Sequence, residues 1–152
     1  MKLLLINFSI SIAISLVCHN LNYAQTTING KTVEGVWKTI DDNTGKAKSH
    51  VTIFQKNGVY YGKVTKILDP SRQDRVCEKC DEDDPRFNKK ILGMEIIQGM
   101  KKKNSKYADG NILDPEKGSV YTCTMWLESE KTLKVRGWVA FLFRTQTWHR
   151  VQ

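Results

Sequence analysis

Apolar and polar residues alternate with a period of two along most of this sequence, which is the pattern of a β-strand with one buried face. Residues 119–128 show it clearly, because Tyr121, Cys123, Met125 and Leu127 fall on one face of the segment. No βαβ alternation and no heptad repeat interrupts the pattern. The sequence therefore predicts an all-β, antiparallel domain.

Turn signals divide the alternating stretches into about eight strands, nearly all joined by short hairpins. Asn57-Gly58 is typical of a two-residue hairpin, because both residues tolerate the positive φ that the turn needs. A second turn runs from Asp114 to Gly118, where Pro115 presets φ and the glycine relieves strain. The predicted strands are 33–40, 48–55, 59–68, 91–98, a short one at 111–113, 119–128, 132–139, and a last part made of 141–143 and 145–151. Short strands at this spacing are typical of an up-and-down barrel or a sandwich.

A loop of about twenty residues follows the third predicted strand, and it runs from Asp69 to Lys90. It carries mixed charges, contains both Cys77 and Cys80, and has no apolar period. Loops of this length within a compact domain are usually functional or disordered.

Two segments after this loop are less regular. Residues 91–98 alternate as a strand, although Met94, Ile97 and Met100 would also suit a short helix. The lysines at 101–103 are predicted to form an exposed basic connection.

The first 24 residues have the layout of a secretory signal peptide. Lys2 supplies the positive start, residues 3–17 supply an apolar stretch, and a polar segment leads to the small residue Ala24. We expect cleavage after Ala24, which leaves one mature domain at 25–152 in the periplasm or outside the cell. We expect this mature domain to have no transmembrane segment.

Two alternatives to cleavage at this point are disfavoured. The apolar run is shorter than the roughly 20 residues that span a bilayer, which argues against an uncleaved anchor. Lipoprotein processing at Cys18 would require a small residue before it, whereas Val17 is bulky.

The formal net charge of the sequence is +8 at pH 7. A basic balance favours acidic partners such as the anionic lipids and polysaccharides of the cell envelope, without selecting one of them. No basic stretch is interleaved with aromatic residues, which argues against a nucleic-acid partner.

Gly35 and Trp37 stand near the start of the first predicted strand, and Arg150 stands near the end of the last. In a closed barrel the first and last strands pair, because closure removes the exposed edges. Trp37 is then predicted to plug one end of the barrel, with the Arg150 guanidinium within roughly 6 Å of its ring. Arg144 is the alternative partner if the last strand is shifted in register. This pairing resembles that of lipocalins, and the alternative is an ordinary core Trp with an unrelated surface Arg.

A longer series of motifs follows along the chain. It comprises Gly35-x-Trp37, Asn57-Gly58-x-Tyr60-x-Gly62-Lys63-Val64, Cys77-x-x-Cys80, Gly110-x-Ile112-x-Asp114-Pro115-x-x-Gly118, Tyr121-x-Cys123, Leu133-x-Val135-Arg136-Gly137 and Arg144-Thr145-Gln146-x-Trp148. The series resembles the exported bacterial family catalogued as domain of unknown function 2147. This resemblance implies a lipocalin-like barrel and no established reaction. The chain departs from the family where it reads Phe141-Leu142-Phe143-Arg144, since members usually read Gly-Phe-Gly-Arg or similar.

Cys77-x-x-Cys80 has three interpretations. A redox motif would need a helix N-terminus to stabilise the thiolate, whereas here the four carboxylates at 81–84 oppose its ionisation. A zinc site would need further ligands, and only Cys123 and the two histidines of the mature chain remain. The third interpretation is a structural disulfide in an oxidising compartment, which leaves Cys123 as a buried thiol. The acidic run matches no calcium-binding loop and is predicted to be solvated.

The sequence contains no motif of a serine hydrolase, a zinc protease or a phosphate-binding loop, so we expect no enzyme, no cofactor and no metal. An eight-stranded barrel is just wide enough to be filled by side chains or to hold one small ligand. We expect a small apolar or amphipathic molecule to bind the face that comprises Tyr60, Val64, Tyr121, Met125, Leu133 and Val135. The same face also suits a filled core. The alternatives are therefore a structural or protein-interaction module of the envelope, or an extracytoplasmic thiol enzyme.

Overall fold

The structure is a computed structural model that describes residues 32–152. Eight antiparallel strands close into one barrel in chain order. They are β1 (Gly35–Ile40), β2 (Ala47–Lys56), β3 (Val59–Ile67), β4 (Glu95–Lys103), β5 (Lys106–Asp114), β6 (Ser119–Ser129), β7 (Thr132–Val139) and β8 (Leu142–Arg150). The predicted up-and-down barrel is confirmed. The predicted signal peptide lies outside the described residues, and within 32–152 no helix is long and apolar enough to span a bilayer.

The barrel closes through β1 and β8. Trp37 is opposite Arg150 in this pairing, and Lys38 is opposite His149. Each strand therefore has a neighbour on both sides, and this closure removes the free edges that an open sheet would expose.

The lysines at 101–103 belong to β4, so the prediction of a basic connection there is wrong. They pair with Lys106–Ala108 across a hairpin whose turn includes Asn104 at a φ of 55°. Their side chains are exposed, so the backbone pairs while the charges remain in water. The sequence signal for this hairpin was Asn104, a residue that tolerates the left-handed conformation of a tight turn.

Three other predicted boundaries also change. The strand predicted at 91–98 is β4 at Glu95–Lys103, so residues 91–94 belong to the β3–β4 connection. The short strand predicted at 111–113 is the end of the longer β5, whose alternation is broken by a register shift between Tyr107 and Gly110. The two predicted pieces at 141–143 and 145–151 form the single strand β8. Irregular pairing disturbs the period of two in β5 without ending the strand, whereas β8 pairs with β7 in one continuous register.

The up-and-down order places alternate turns at the same end of the barrel. The β2–β3, β4–β5 and β6–β7 turns lie at one end, which we call the closed end. Large inward side chains fill it: Trp37, Tyr60, Met100, Tyr107, Met125 and Leu133 are all buried there. The other four connections lie at the opposite end, which we call the open end.

Arg150 caps the closed end. Its guanidinium lies 4.1 Å from the centre of the Trp37 ring, which confirms the predicted contact between the first and last strands. Its nitrogens donate to the carbonyl oxygens of Thr32, Glu34 and Glu130, at distances between 2.6 and 2.8 Å. Gly35 has a φ of +124°, and a Cβ at this position would lie 2.6 Å from Arg150 Nη1. A glycine here therefore leaves the space that the guanidinium occupies.

Candidate ligand-binding site

The open end holds a cavity of about 880 Å³. This volume falls within the range of roughly 300–1,000 Å³ that small-molecule sites occupy. Its walls are mainly inward-facing apolar side chains: Val64, Ile67, Ile96, Ile112, Tyr121, Val135 and Trp148. The barrel is therefore filled at one end and hollow at the other.

Small inward-facing residues leave this space empty. Thr39 on β1 and Ser49 on β2 face each other across the pair, with their hydroxyl oxygens 2.8 Å apart. Gly137 on β7 has no side chain, and a Cβ there would lie 3.2 Å from the Cβ of Tyr121. At the closed end the corresponding inward position on β1 carries Trp37, which is fully buried.

Three cations surround one carboxylate at the mouth of the cavity. Lys48 Nζ donates to Glu116 Oε2 at 2.7 Å, Arg72 pairs with Glu116 Oε1, and Arg75 Nη1 lies 3.4 Å from the same oxygen. We call these four residues the mouth cluster. Burial by itself raises the pKa of Glu116, but the Lys48 hydrogen bond and the three positive charges together hold that pKa below its usual value. The cluster keeps an excess of positive charge after Glu116 is paired.

A second polar group also lies at the mouth of the cavity. Arg144 and Gln146, both on β8, bind the carboxylate of Asp42 in the β1–β2 connection. Gln146 Oε1 also accepts a hydrogen bond of 3.1 Å from Trp148 Nε1. This chain of contacts connects the rim to one of the deepest side chains of the cavity.

Residues 35–150 match the model of a protein family described as "Uncharacterized protein conserved in bacteria (DUF2147)". The chain belongs to this family. Among solved structures it is similar to protein HP1028 from the human pathogen Helicobacter pylori, which is described as a member of the lipocalin family. The TM-score is 0.69 and the identity 20%, over 80% of this chain and 84% of that one. At this identity the likeness shows a lipocalin-like fold. No curated protein matches the sequence.

The six residues predicted to bind a ligand lie at both ends of this DUF2147 barrel. Val64, Tyr121 and Val135 line the cavity. The other three pack into the closed end, where the Tyr60 ring lies 4.7 Å from that of Tyr107 and where Met125 and Leu133 are fully buried. The alternation identifies inward-facing residues but not their height along the barrel axis, because that depends on strand register.

Other cavity residues of this DUF2147 protein were not predicted from the sequence. Ile67, Ile96 and Ile112 could have been found by extending the inward face to neighbouring strands. Glu116 and its cations had no local signal, because they come from β2, from the β3–β4 connection and from the β5–β6 turn.

Cys77 and Cys80 form a disulfide, and both are buried. The disulfide interpretation is therefore confirmed, and in this form neither sulfur is available as a thiolate or zinc ligand. The bonded pair lies against the β5–β6 turn, where Cys77 Sγ is 3.5 Å from the carbonyl oxygen of Pro115. Gly118 in this turn has a φ of +72°, and a Cβ there would collide with the backbone of Lys79. These close contacts hold the β3–β4 connection beside Glu116.

The acidic run after the disulfide is less solvated than predicted. Asp84 forms a two-pronged ion pair with Arg86, whose Nη1 also donates to the Glu95 carbonyl oxygen at 3.3 Å. Local pairing at a spacing of two residues therefore removes one of the four carboxylates from water. Within residues 32–152, no group of His, Cys, Asp and Glu is arranged to hold a metal ion.

Cys123 lies inside the barrel as a free and fully buried thiol. Burial raises the pKa of this thiol to about 12. The residue is therefore a small apolar core side chain at neutral pH.

Proposed function

We propose that this DUF2147 protein is an exported binding protein, in the periplasm or outside the cell, that holds a small apolar or amphipathic molecule. The cavity at the open end carries this proposal. Its walls are apolar and its mouth is charged, which suits a molecule with an apolar tail and a polar head. The lipocalin-like fold also suggests small-molecule binding.

The mouth cluster supports an anionic head group in particular. One carboxylate, Glu116, is shared by Lys48, Arg72 and Arg75. A carboxylate or phosphate from a ligand would accept charge-assisted hydrogen bonds from the two arginines, which are stronger than neutral ones. The tail would then extend past Ile67 and Tyr121 into the barrel.

Two observations support export. The first 24 residues have the layout of a signal peptide. The Cys77–Cys80 disulfide also suits an oxidising compartment, because thiols in the cytosol are kept reduced.

The alternative is a structural or protein-interaction module with a filled barrel. The packing of the closed end fits it, since Trp37, Met125 and Leu133 are fully buried there. The cavity at the other end favours the ligand-binding proposal. We propose binding without a catalytic step.

Native mass spectrometry of purified protein tests the proposal, because a retained molecule would reveal its own chemical class. Displacement of a fluorescent apolar probe should follow, using a long-chain carboxylate and the alcohol of equal length. We expect both compounds to displace the probe and the carboxylate to bind more tightly. A folded protein that retains nothing and binds neither compound would favour the filled-barrel alternative.

A further inference from the structure

The hairpin between β7 and β8 exposes a run of apolar side chains. Within residues 32–152, six large apolar side chains are exposed, and four of them lie in this hairpin. They are Val139, Phe141, Leu142 and Phe143, with exposed fractions of 54%, 85%, 64% and 55%. Single exposed apolar residues are ordinary, whereas a contiguous group marks an interaction site. We call residues 139–143 the apolar tip.

Aromatic and cationic side chains lie directly behind the apolar tip, on the outer face of the barrel. The Arg136 guanidinium is 4.2 Å from the centre of the Phe143 ring and 5.5 Å from that of Trp138. Toward the closed end, Arg136 also lies 5.0 Å from the ring of Trp126, over which Lys106 lies. Tryptophan and arginine at such a boundary are typical of proteins that meet the headgroup layer of a membrane.

The apolar tip is also part of the cavity mouth. Val139 and Leu142 line the cavity, together with the exposed lysines Lys46 and Lys117 on the neighbouring connections. Six basic and four acidic side chains line the cavity. Asp42 adds a fifth carboxylate at the rim, so the mouth keeps a small excess of positive charge. Basic residues around an apolar insertion favour a surface that carries anionic headgroups.

The size of the apolar tip favours a bilayer over a protein as its partner. Stable protein interfaces bury about 800 Å² on each side and need a complementary shape. Four side chains at a hairpin turn are too few for such an area. A bilayer needs no complementary shape, because the lipids rearrange around an inserted apolar group.

We propose that the open end of the barrel docks on a bilayer that contains anionic lipid. The apolar tip inserts at the boundary between headgroups and acyl chains, and Trp138 and Arg136 lie at headgroup level. The cavity mouth then faces the membrane. Docking goes beyond the proposed ligand binding and does not require it. Transfer of an amphipathic ligand between bilayer and cavity would rest on that proposed function.

Sedimentation of purified, unliganded protein with sucrose-loaded vesicles tests the docking. We expect binding to vesicles that contain phosphatidylglycerol, weaker binding to phosphatidylcholine alone, and a decrease with added salt. The double variant Phe141→Ser with Leu142→Ser should bind at least roughly tenfold more weakly, because it loses most of the inserted apolar surface. Val59→Ser is the matched control, since Val59 is a half-buried apolar residue beside the β2–β3 turn at the closed end. Its binding should stay within about twofold of the parent.

A pair of charge variants tests the orientation. Lys46→Glu with Lys117→Glu alters the open end, and Lys101→Glu with Lys102→Glu makes the same change in net charge at the closed end. We expect a large loss of vesicle binding only for the open-end pair. Equal losses would overturn the proposal in favour of general attraction to a basic protein.

Three other results would overturn it. One is unchanged vesicle binding by the Phe141 and Leu142 variant, with circular dichroism showing that it is folded. Another is a dimer in analytical ultracentrifugation that this variant abolishes, because the tip would then cover a second copy. The third is an absence of vesicle binding by the parent protein. Probe displacement without vesicles measures ligand binding in the cavity separately. A failure of membrane docking and a failure of ligand binding therefore give different results.

Discussion

The two ends of the barrel are built from the same strands but are packed in opposite ways. At the closed end, β1 and β7 point Trp37 and Leu133 inward, and both are fully buried. Toward the open end, the same two strands point Thr39 and Gly137 inward, and a cavity remains. The comparison shows that alternation alone does not separate a core from a site. The size of the inward residues along each strand makes the difference.

The two ends also use their charges differently. At the closed end, the three nitrogens of the Arg150 guanidinium donate to three carbonyl oxygens of the chain. At the open end, three cations share Glu116. An arginine whose three nitrogens each donate to a carbonyl oxygen of the chain stabilises the fold, whereas a cluster with excess charge can also receive a ligand.

Trp37→Ala should have the largest effect. Trp37 is fully buried, and its Nε1 donates to the Val33 carbonyl oxygen at 2.7 Å. Its ring also stacks against the Arg150 guanidinium. Removing this side chain from the core should lower the free energy of unfolding by about 3–5 kcal/mol. Urea denaturation measures the change, and a loss below about 1 kcal/mol would show that the closed end does not depend on this plug.

Arg150→Ala should cost less, about 1–2 kcal/mol, because the residue loses stacking and exposed hydrogen bonds. The double variant with Trp37→Ala should lose less than the sum of the two, since residues in contact are coupled. Strict additivity would contradict a closed end held by this contact.

Leu133→Ala and Tyr121→Ala compare the two ends directly. Leu133 is fully buried at the closed end, so its variant should lose about 2–5 kcal/mol of stability and keep its ligand affinity once folded. Tyr121 lines the cavity, so its variant should lose less stability but bind an apolar probe roughly tenfold more weakly. Urea denaturation and probe titration measure the two effects. Equal losses of affinity in both variants would remove the functional distinction between the ends.

The architecture could be predicted from the sequence more fully than the site. The alternation, the Asn57-Gly58 turn and the placement of Trp37 and Arg150 at the two chain ends predicted an eight-stranded closed barrel, which the structure confirms. These signals are local, or they follow from the need to close a sheet. The lysines at 101–103 were misplaced because charge says little about whether a backbone is paired.

The site depends on contacts that no local pattern contains. Tyr60, Met125 and Leu133 share the inward face with Val64 but lie at another height, which register determines. Arg72 reaches Glu116 only because the β3–β4 connection packs against the β5–β6 turn. A sequence pattern gives the face of a strand, whereas the mouth cluster is a product of tertiary packing.

Arg72→Gln should affect anionic ligands selectively. The change removes one of the cations beside Glu116 but keeps a side chain that can form hydrogen bonds. We expect affinity for a long-chain carboxylate to decrease by roughly tenfold and affinity for the alcohol of equal length to stay nearly constant. Probe displacement measures both, and Arg86→Gln serves as a control away from the cavity. A parallel decrease for acid and alcohol would show that the cluster does not recognise charge.

Glu116→Gln should have the smallest effect on stability, below about 1 kcal/mol for a half-buried ion pair, but a distinctive dependence on pH. The pKa of Glu116 lies below its usual value of 4.5 in the folded protein. Its ion pairs therefore stabilise the fold fully above that usual value, and this contribution is lost as the pH falls through the lower, folded pKa. The variant lacks the contribution at every pH, so its stability should approach that of the parent in acid.

Urea denaturation of both proteins from about pH 6 to about pH 3 measures the difference in stability. The aspartates with lowered pKa are common to both proteins, so their effect cancels in this difference. Glu78→Gln, an exposed carboxylate of the same connection, is the matched control. A difference between variant and parent that stays constant across this range would show that the mouth cluster does not stabilise the fold through the charge of Glu116.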